Sequence, residues 1–183
     1  MKLFIKYMES IHSKIIVKSN LKKLGLHCQK ISKGEVKIKE DINEEQRYNL
    51  KLALLKDGLL LIDKKEAIIN KIKKVVNEII HYTEELPKID TASYISKKLN
   101  LNFKYLSTLF SHTTGITIEH YIITNKIERA KELMVYEDLS LDEVAHRLNY
   151  SSSSYLSQQF KKITGYSPTY FMHLDHEKFF TIR

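Results

Sequence analysis

The segment LNLNFKYLSTLFSHTTG, Leu99 to Gly115, recurs as LNYSSSSYLSQQFKKITG, Leu148 to Gly165. Leu99/Leu148 and Asn100/Asn149 pair at an offset of 49 residues. Tyr105/Tyr155, Leu106/Leu156, Ser107/Ser157, Phe110/Phe160, Thr114/Thr164 and Gly115/Gly165 pair at 50, so the second copy carries one extra residue in its turn. A repeat of this length requires one supersecondary unit used twice. Each copy reads as a short helix, a tight turn and a second helix: Ile95–Leu99 and Val144–Leu148 precede the turn, and the Tyr-Leu-x-x-x-Phe rows follow it. Asn100 and Asn149 suit a left-handed turn corner. Asn102 and Ser151 are expected to cap the second helices, and Ser140 with Glu143 forms a capping box ahead of the second unit.

Between the copies, HYIITNKIERAKELM places Tyr121, Ile123, Ile127, Ala130 and Met134 on one face of a spacer helix. About 17 residues of helix give roughly 25 Å, enough to hold two helical hairpins near the roughly 34 Å that separates successive major-groove faces of DNA. On the second helices, Tyr105, Leu106, Leu109 and Phe110, and Tyr155, Leu156 and Phe160, fit a buried stripe. The aromatic rows are therefore expected in the core. The residues left outward are equally compatible, one by one, with an ordinary solvated helix face. Matched turns and matched buried rows at one offset are what a pair of unrelated hairpins would not need.

The first third alternates strand-like and helix-like runs: LFIKYM, KIIVKSNLKKLG, the hairpin HCQKIS-KG-EVKIKE, NEEQRYNLKLALLKDG and LLLID. This order is β-α-β-β-α-β. The expected fold class is α+β: a ferredoxin-like βαββαβ domain over residues 1–64, joined by a helix to an all-α domain over 65–183 with two helix-turn-helix units. Asn43 and Gln46 form a capping box, and Gly58 is placed as a helix stop. The joining helix lies in EAIINKIKKVVNEIIHY, with Ile68, Ile72, Val75, Ile79 and Tyr82 on one side.

From Leu86 to Phe171, together with the helix before it, the chain resembles the AraC/XylS family of bacterial transcription regulators. The landmarks are YLSTLFSHTTGITIEHYI from Tyr105, KIERAKELM from Lys126 and LSLDEVAHRLNYSSSSYLSQQFKKITGYSPTYF from Leu139. The resemblance implies double-stranded DNA as partner. It also implies base-reading roles for Lys104, Ser107 and Thr108 on the first helix and for Ser153, Ser154, Ser157 and Gln158 on the second. Phosphate contacts fall to Asn102, Ser111, Ser151, Lys161 and Lys162. A helix fits the major groove of B-DNA and reads base edges there, and a glutamine amide pairs with adenine in two-pronged fashion. Two departures stand out: the family often has glycine where this chain has Asn100 and Asn149, and arginine is scarce on both helices.

The β-α-β-β-α-β order and YMESIHSKIIVKSNLKKLGL resemble heavy-metal-associated domains over about 65 residues. Ser10 and Ser13 stand where that family has a cysteine pair, and neutral serines are poor ligands for soft metals. His12, Met8 and Cys28 show no ligand pattern, nor do His112 and His120, so no metal and no cofactor are expected. The sheet has edges that suit a homodimer or a protein partner through residues 1–64; the effector stays open.

Composition bounds these readings. No run approaches a membrane span, MKLFIKYMES lacks the pattern of a secretory leader, and the one cysteine forms no intrachain disulfide. A cytoplasmic location is expected. No nucleophile–base pair, phosphate loop or metal triad points to an enzyme. The net charge is +8, which favours an anionic partner. Its distribution is uneven: 18 Lys+Arg against 12 Asp+Glu up to Glu85, and 12 against 10 from Leu86 onward.

Overall fold

The computed structural model describes residues 1–81 and 90–173. The chain divides into two compact units, residues 1–70 and 71–183.

In the first unit, β1 (Lys2–Lys6), α1 (Ile11–Lys23), β2 (Cys28–Ser32), β3 (Glu35–Ile38), α2 (Glu44–Lys56) and β4 (Leu60–Ile62) follow in the expected order. The strands form one antiparallel sheet in the order β2-β3-β1-β4. Side chains alternate across a strand. Leu3 and Ile5 of β1 and Val36 and Ile38 of β3 therefore turn to one face, where they pack with Val17 and Leu21 of α1 and Leu50 and Leu54 of α2. The register sets Leu3 opposite Val36, with Lys2 opposite Lys37 on the other face.

Local chemistry sets the ends of both helices. Ser10 caps α1, its Oγ accepting from the Ser13 amide at 3.0 Å, and the Ser13 hydroxyl returns a bond to the Ser10 carbonyl at 2.9 Å. Ser10 and Ser13 thus serve the helix terminus. Asn43 and Gln46 close a capping box on α2, and Gly58, at φ +72°, follows its last turn. Between the helices, Asn20 is buried and donates through Nδ2 to Asp57 at 2.8 Å, which removes the cost of enclosing its amide.

α3 (Lys64–His81) contains the boundary between the units and buries Ile68, Ile72, Val75 and Ile79, as its periodicity requires. Tyr82, expected on the same face, lies outside the described residues. The second unit continues with α4 (Thr91–Leu99), α5 (Phe103–Thr114), α6 (Ile118–Tyr136), α7 (Leu141–Arg147) and α8 (Ser153–Thr164). α6 is the spacer. Its 19 residues give roughly 28 Å of helix, with Ile127, Ala130 and Met134 buried and Tyr121 and Ile123 half-buried. It packs against α5 on one side of the repeat and against α7 and α8 on the other.

Candidate nucleic-acid interface

The two helical hairpins share their backbone construction. α4 ends with Asn100 at φ 51°, and the Leu101 amide donates back to the Ser96 carbonyl at 3.2 Å. α7 ends one residue before Leu148, Asn149 takes φ 53°, and the Tyr150 amide donates to the Ala145 carbonyl at 2.8 Å. Asparagine tolerates the left-handed region because its short polar side chain carries little steric penalty there. Leu101 therefore corresponds to Tyr150, and the extra residue of the second turn is Ser151.

That insertion corrects one expectation. Asn102 caps α5, accepting from the Lys104 amide at 2.9 Å. The cap of α8 is Ser152, whose Oγ accepts from the Tyr155 amide at 3.1 Å. Ser151 is exposed one position earlier, because the additional residue moves the structural equivalent of Asn102 forward by one.

From the cap onward the copies coincide. Residues 101–120 and 151–170 have the same helix and turn assignment residue for residue, and 101–110 and 151–160 have the same pattern of burial. Leu106, Phe110, Leu156 and Phe160 are fully buried. Thr114 and Thr164 each donate to the carbonyl four residues back, Phe110 or Phe160, at 2.8 Å. Gly115 and Gly165 end the helices at φ +77° and +83°.

The likeness extends past the sequence repeat. Thr117 caps α6 by accepting from the His120 amide at 3.1 Å, and Ser167 accepts from Tyr170 at 3.2 Å where another helical turn begins. Phe110 packs on Tyr121 at 5.4 Å between ring centroids, and Phe160 on Phe171 at 5.5 Å.

Lys104, Thr108, Ser154 and Gln158 are exposed, while Ser107, Ser153 and Ser157 are half-buried beside them. These seven residues occupy matching sides of α5 and α8. Ser111 is half-buried and its hydroxyl donates to the Ser107 and Thr108 carbonyls of its own helix, at 2.9 and 3.2 Å. Lys161 and Lys162 are exposed in the last turn of α8, where a cation also complements the helix dipole.

A second correction concerns the tyrosines. Tyr105 and Tyr155, expected in the core, are 47% and 45% exposed. Leu106 and Phe110, four apart, already fill the buried stripe of α5, and a residue one step before Leu106 lies 100° around the helix, beside Lys104 and Thr108. The pattern gave no warning, since a tyrosine has both an apolar body and a polar tip and suits a rim as well as a core. What the repeat did offer was the matching position of the two rings.

The second hairpin is tied to the spacer by polar contacts of long reach. Lys126 of α6 donates through Nζ to the Leu148 carbonyl at 2.7 Å and lies over the Tyr150 ring, 5.0 Å from its centroid. Burial pushes the Lys126 ammonium below its ordinary range and the Tyr150 phenol up to about 12. Glu137, just past α6, accepts from Arg129 at 2.9 Å and also binds Arg147 of α7. Among the described residues, no group of three or more His, Cys, Asp or Glu side chains is placed to hold a metal ion. No described helix is long and apolar enough to cross a membrane.

Capped helix, left-handed corner and second helix, built twice on one spacer, define a paired helix-turn-helix domain. Residues 95–173 match the family model described as "Helix-turn-helix domain". The Msm operon regulatory protein of Streptococcus mutans is 32% identical over 106 residues, which is 58% of this chain and 36% of that protein. The chain thus spans about a third of that relative's length. Two solved structures share the fold. The C-terminal domain of AraT, a response regulator from Geobacillus stearothermophilus, has a TM-score of 0.52 at 23% identity, covering 61% of this chain and 88% of that one. The DNA-binding domain of AdpA, in complex with a target DNA, has a TM-score of 0.51 at 21% identity, covering 59% and 95%.

Proposed function

We propose that this protein is a sequence-specific DNA-binding transcriptional regulator of the cytoplasm that sets α5 and α8 into adjacent major-groove segments. The observation that carries the reading is the match of residues 101–120 with 151–170 in helix and turn assignment, and of 101–110 with 151–160 in burial. One geometry used twice on a rigid spacer suits a ligand that itself repeats, and the double helix does so every turn. Lys104, Ser107, Thr108, Ser153, Ser154, Ser157 and Gln158 read bases. Asn102, Ser111, Ser151, Lys161 and Lys162 contact phosphates. A solved relative of the same fold, the AdpA domain, is itself bound to DNA.

Selection from a random-site duplex library with the full chain tests this. The expected product is one motif with two half-sites about 10 base pairs apart, centre to centre. A library that stays unenriched overturns the reading.

Residues 1–64 add a homodimer contact. Tyr48, Leu52 and Leu55, spaced i, i+4 and i+7, form an exposed apolar stripe on α2. Glu44 and Glu45 open that helix, while Lys51 and Lys56 lie toward its end. Two copies of α2 packed antiparallel bring the acids of each near the bases of the other. Sedimentation of the full chain should show a dimer that Leu52→Glu converts to monomer. A wild-type chain that is monomeric at high concentration removes this contact.

A further inference from the structure

Lys2 of β1 stands opposite Lys37 of β3, and Lys37 stands opposite Lys30 of β2. Three lysines therefore form one cross-strand row. They lie on the face turned away from α1 and α2, since their neighbours Leu3 and Val36 point into the core. All three are exposed. The next row holds Phe4, Glu35 and Ser32, and Glu35 is half-buried and has an interaction of its own.

Like charges directly opposite one another destabilise a sheet. A lysine on an edge strand is explained by protection against edge-to-edge pairing, which accounts for Lys30. It does not account for Lys2 and Lys37, because β1 and β3 are the two central strands. Nothing in the first unit requires this arrangement.

The second unit has the opposite problem. Residues 90–173 hold 9 Lys+Arg against 8 Asp+Glu, whereas residues 1–70 hold 15 against 9. Phosphate neutralisation supplies most of the affinity of a typical protein for DNA, and the unit with the reading helices has little cationic charge to spend on it.

We infer that the Lys2–Lys37–Lys30 row is a second DNA contact, binding backbone phosphates of the duplex outside the segment read by the second unit. This rests on the DNA-binding reading above. Strands about 4.8 Å apart spread the row over roughly 10 Å. One DNA strand presents a phosphate for about every 3.4 Å of helix axis, and the flexible four-carbon stems of three neighbouring lysines let each ammonium reach a phosphate of such a strand. Such contacts carry no base information and act on all sequences alike.

The test uses the full chain on its own selected site, with affinity measured across a salt series. The variant is K2Q/K30Q/K37Q. Each lost phosphate contact lowers the slope of log K against log salt by about 0.9, so the slope should fall by roughly 2 to 3 with an unchanged sequence preference. Two controls fix the meaning. K2R/K30R/K37R keeps the charge and should keep the slope. K18Q/K22Q/K51Q removes three exposed helix lysines and should change the slope by less than one.

A folded row variant with the wild-type slope overturns the inference and leaves the reading helices untouched. Equal losses from row and helix variants also overturn it, since bulk charge then suffices. Row-dependent binding to anionic phosphatidylserine vesicles, with DNA binding unaltered, assigns the face to lipid and overturns it as well. A wild-type chain that binds no DNA removes both proposals together.

Discussion

Lys126, in the middle of α6, donates to the main-chain carbonyl of Leu148 at 2.7 Å, across 22 residues of sequence. The carbonyl belongs to a fully buried residue at the end of α7. The spacer helix and the second turn are therefore joined just before the start of α8.

Replacing Lys126 with methionine keeps most of the apolar stem and leaves the Leu148 carbonyl without its donor. An unsatisfied buried acceptor costs about 1–3 kcal/mol. The melting temperature of K126M should fall by several degrees, read by differential scanning calorimetry. An unchanged transition would mean that the bond contributes nothing net.

Tyr150 presents the reverse case. Its hydroxyl is buried and makes no hydrogen bond among the described residues, so Tyr150→Phe should stabilise the chain at neutral pH by about 1 kcal/mol. Burial raises the phenol from 10.0 to about 12. Between those values the folded chain keeps a proton that the unfolded chain releases. The stability from this group is thus complete below pH 10 and is lost as the pH rises toward 12. Urea unfolding should show wild type losing more stability than the phenylalanine variant over that interval. A variant less stable at pH 7 would contradict the account.

The capping correction separates two adjacent serines. Ser152→Ala removes the Oγ that accepts from the Tyr155 amide and should cost about 1 kcal/mol. Ser151→Ala should leave thermal stability within a few tenths of that of the wild type. Equal costs would place the cap on the wrong residue.

On the reading face, Gln158→Ala should remove discrimination at one base position, worth about 1–3 kcal/mol, and that base should be adenine. Lys161→Ala should weaken all sequences alike and reduce the salt slope by about 0.9. A selected motif rich in G·C, or identical effects from the two variants, would go against these assignments.

Much of this was legible in the residues because the signals are short in range. Asn100 and Asn149 mark left-handed corners by their own side chains, and the capping boxes at Asn43 and Ser140 need only residues three apart. The order of strands and helices followed from alternation and periodicity in single segments. The tyrosines failed for a related reason: Tyr105 and Tyr155 share a sequence row with buried residues, but exposure depends on what packs beside a helix. The cap at Ser152 was missed because an insertion of one residue could be placed anywhere in its turn until the hydrogen bonds were seen.

The sequence by itself determined the order of strands and helices, the duplicated hairpin and the capping boxes at Asn43 and Ser140, since each depends on contacts within one or two turns of chain. Tertiary structure alone decided which residues meet across distance: Lys126 with the Leu148 carbonyl, Phe110 with Tyr121, and Lys2, Lys37 and Lys30 in one row. Strand register and helix docking are set by the whole core at once, through burial summed over many side chains. No local pattern of residues carries that sum.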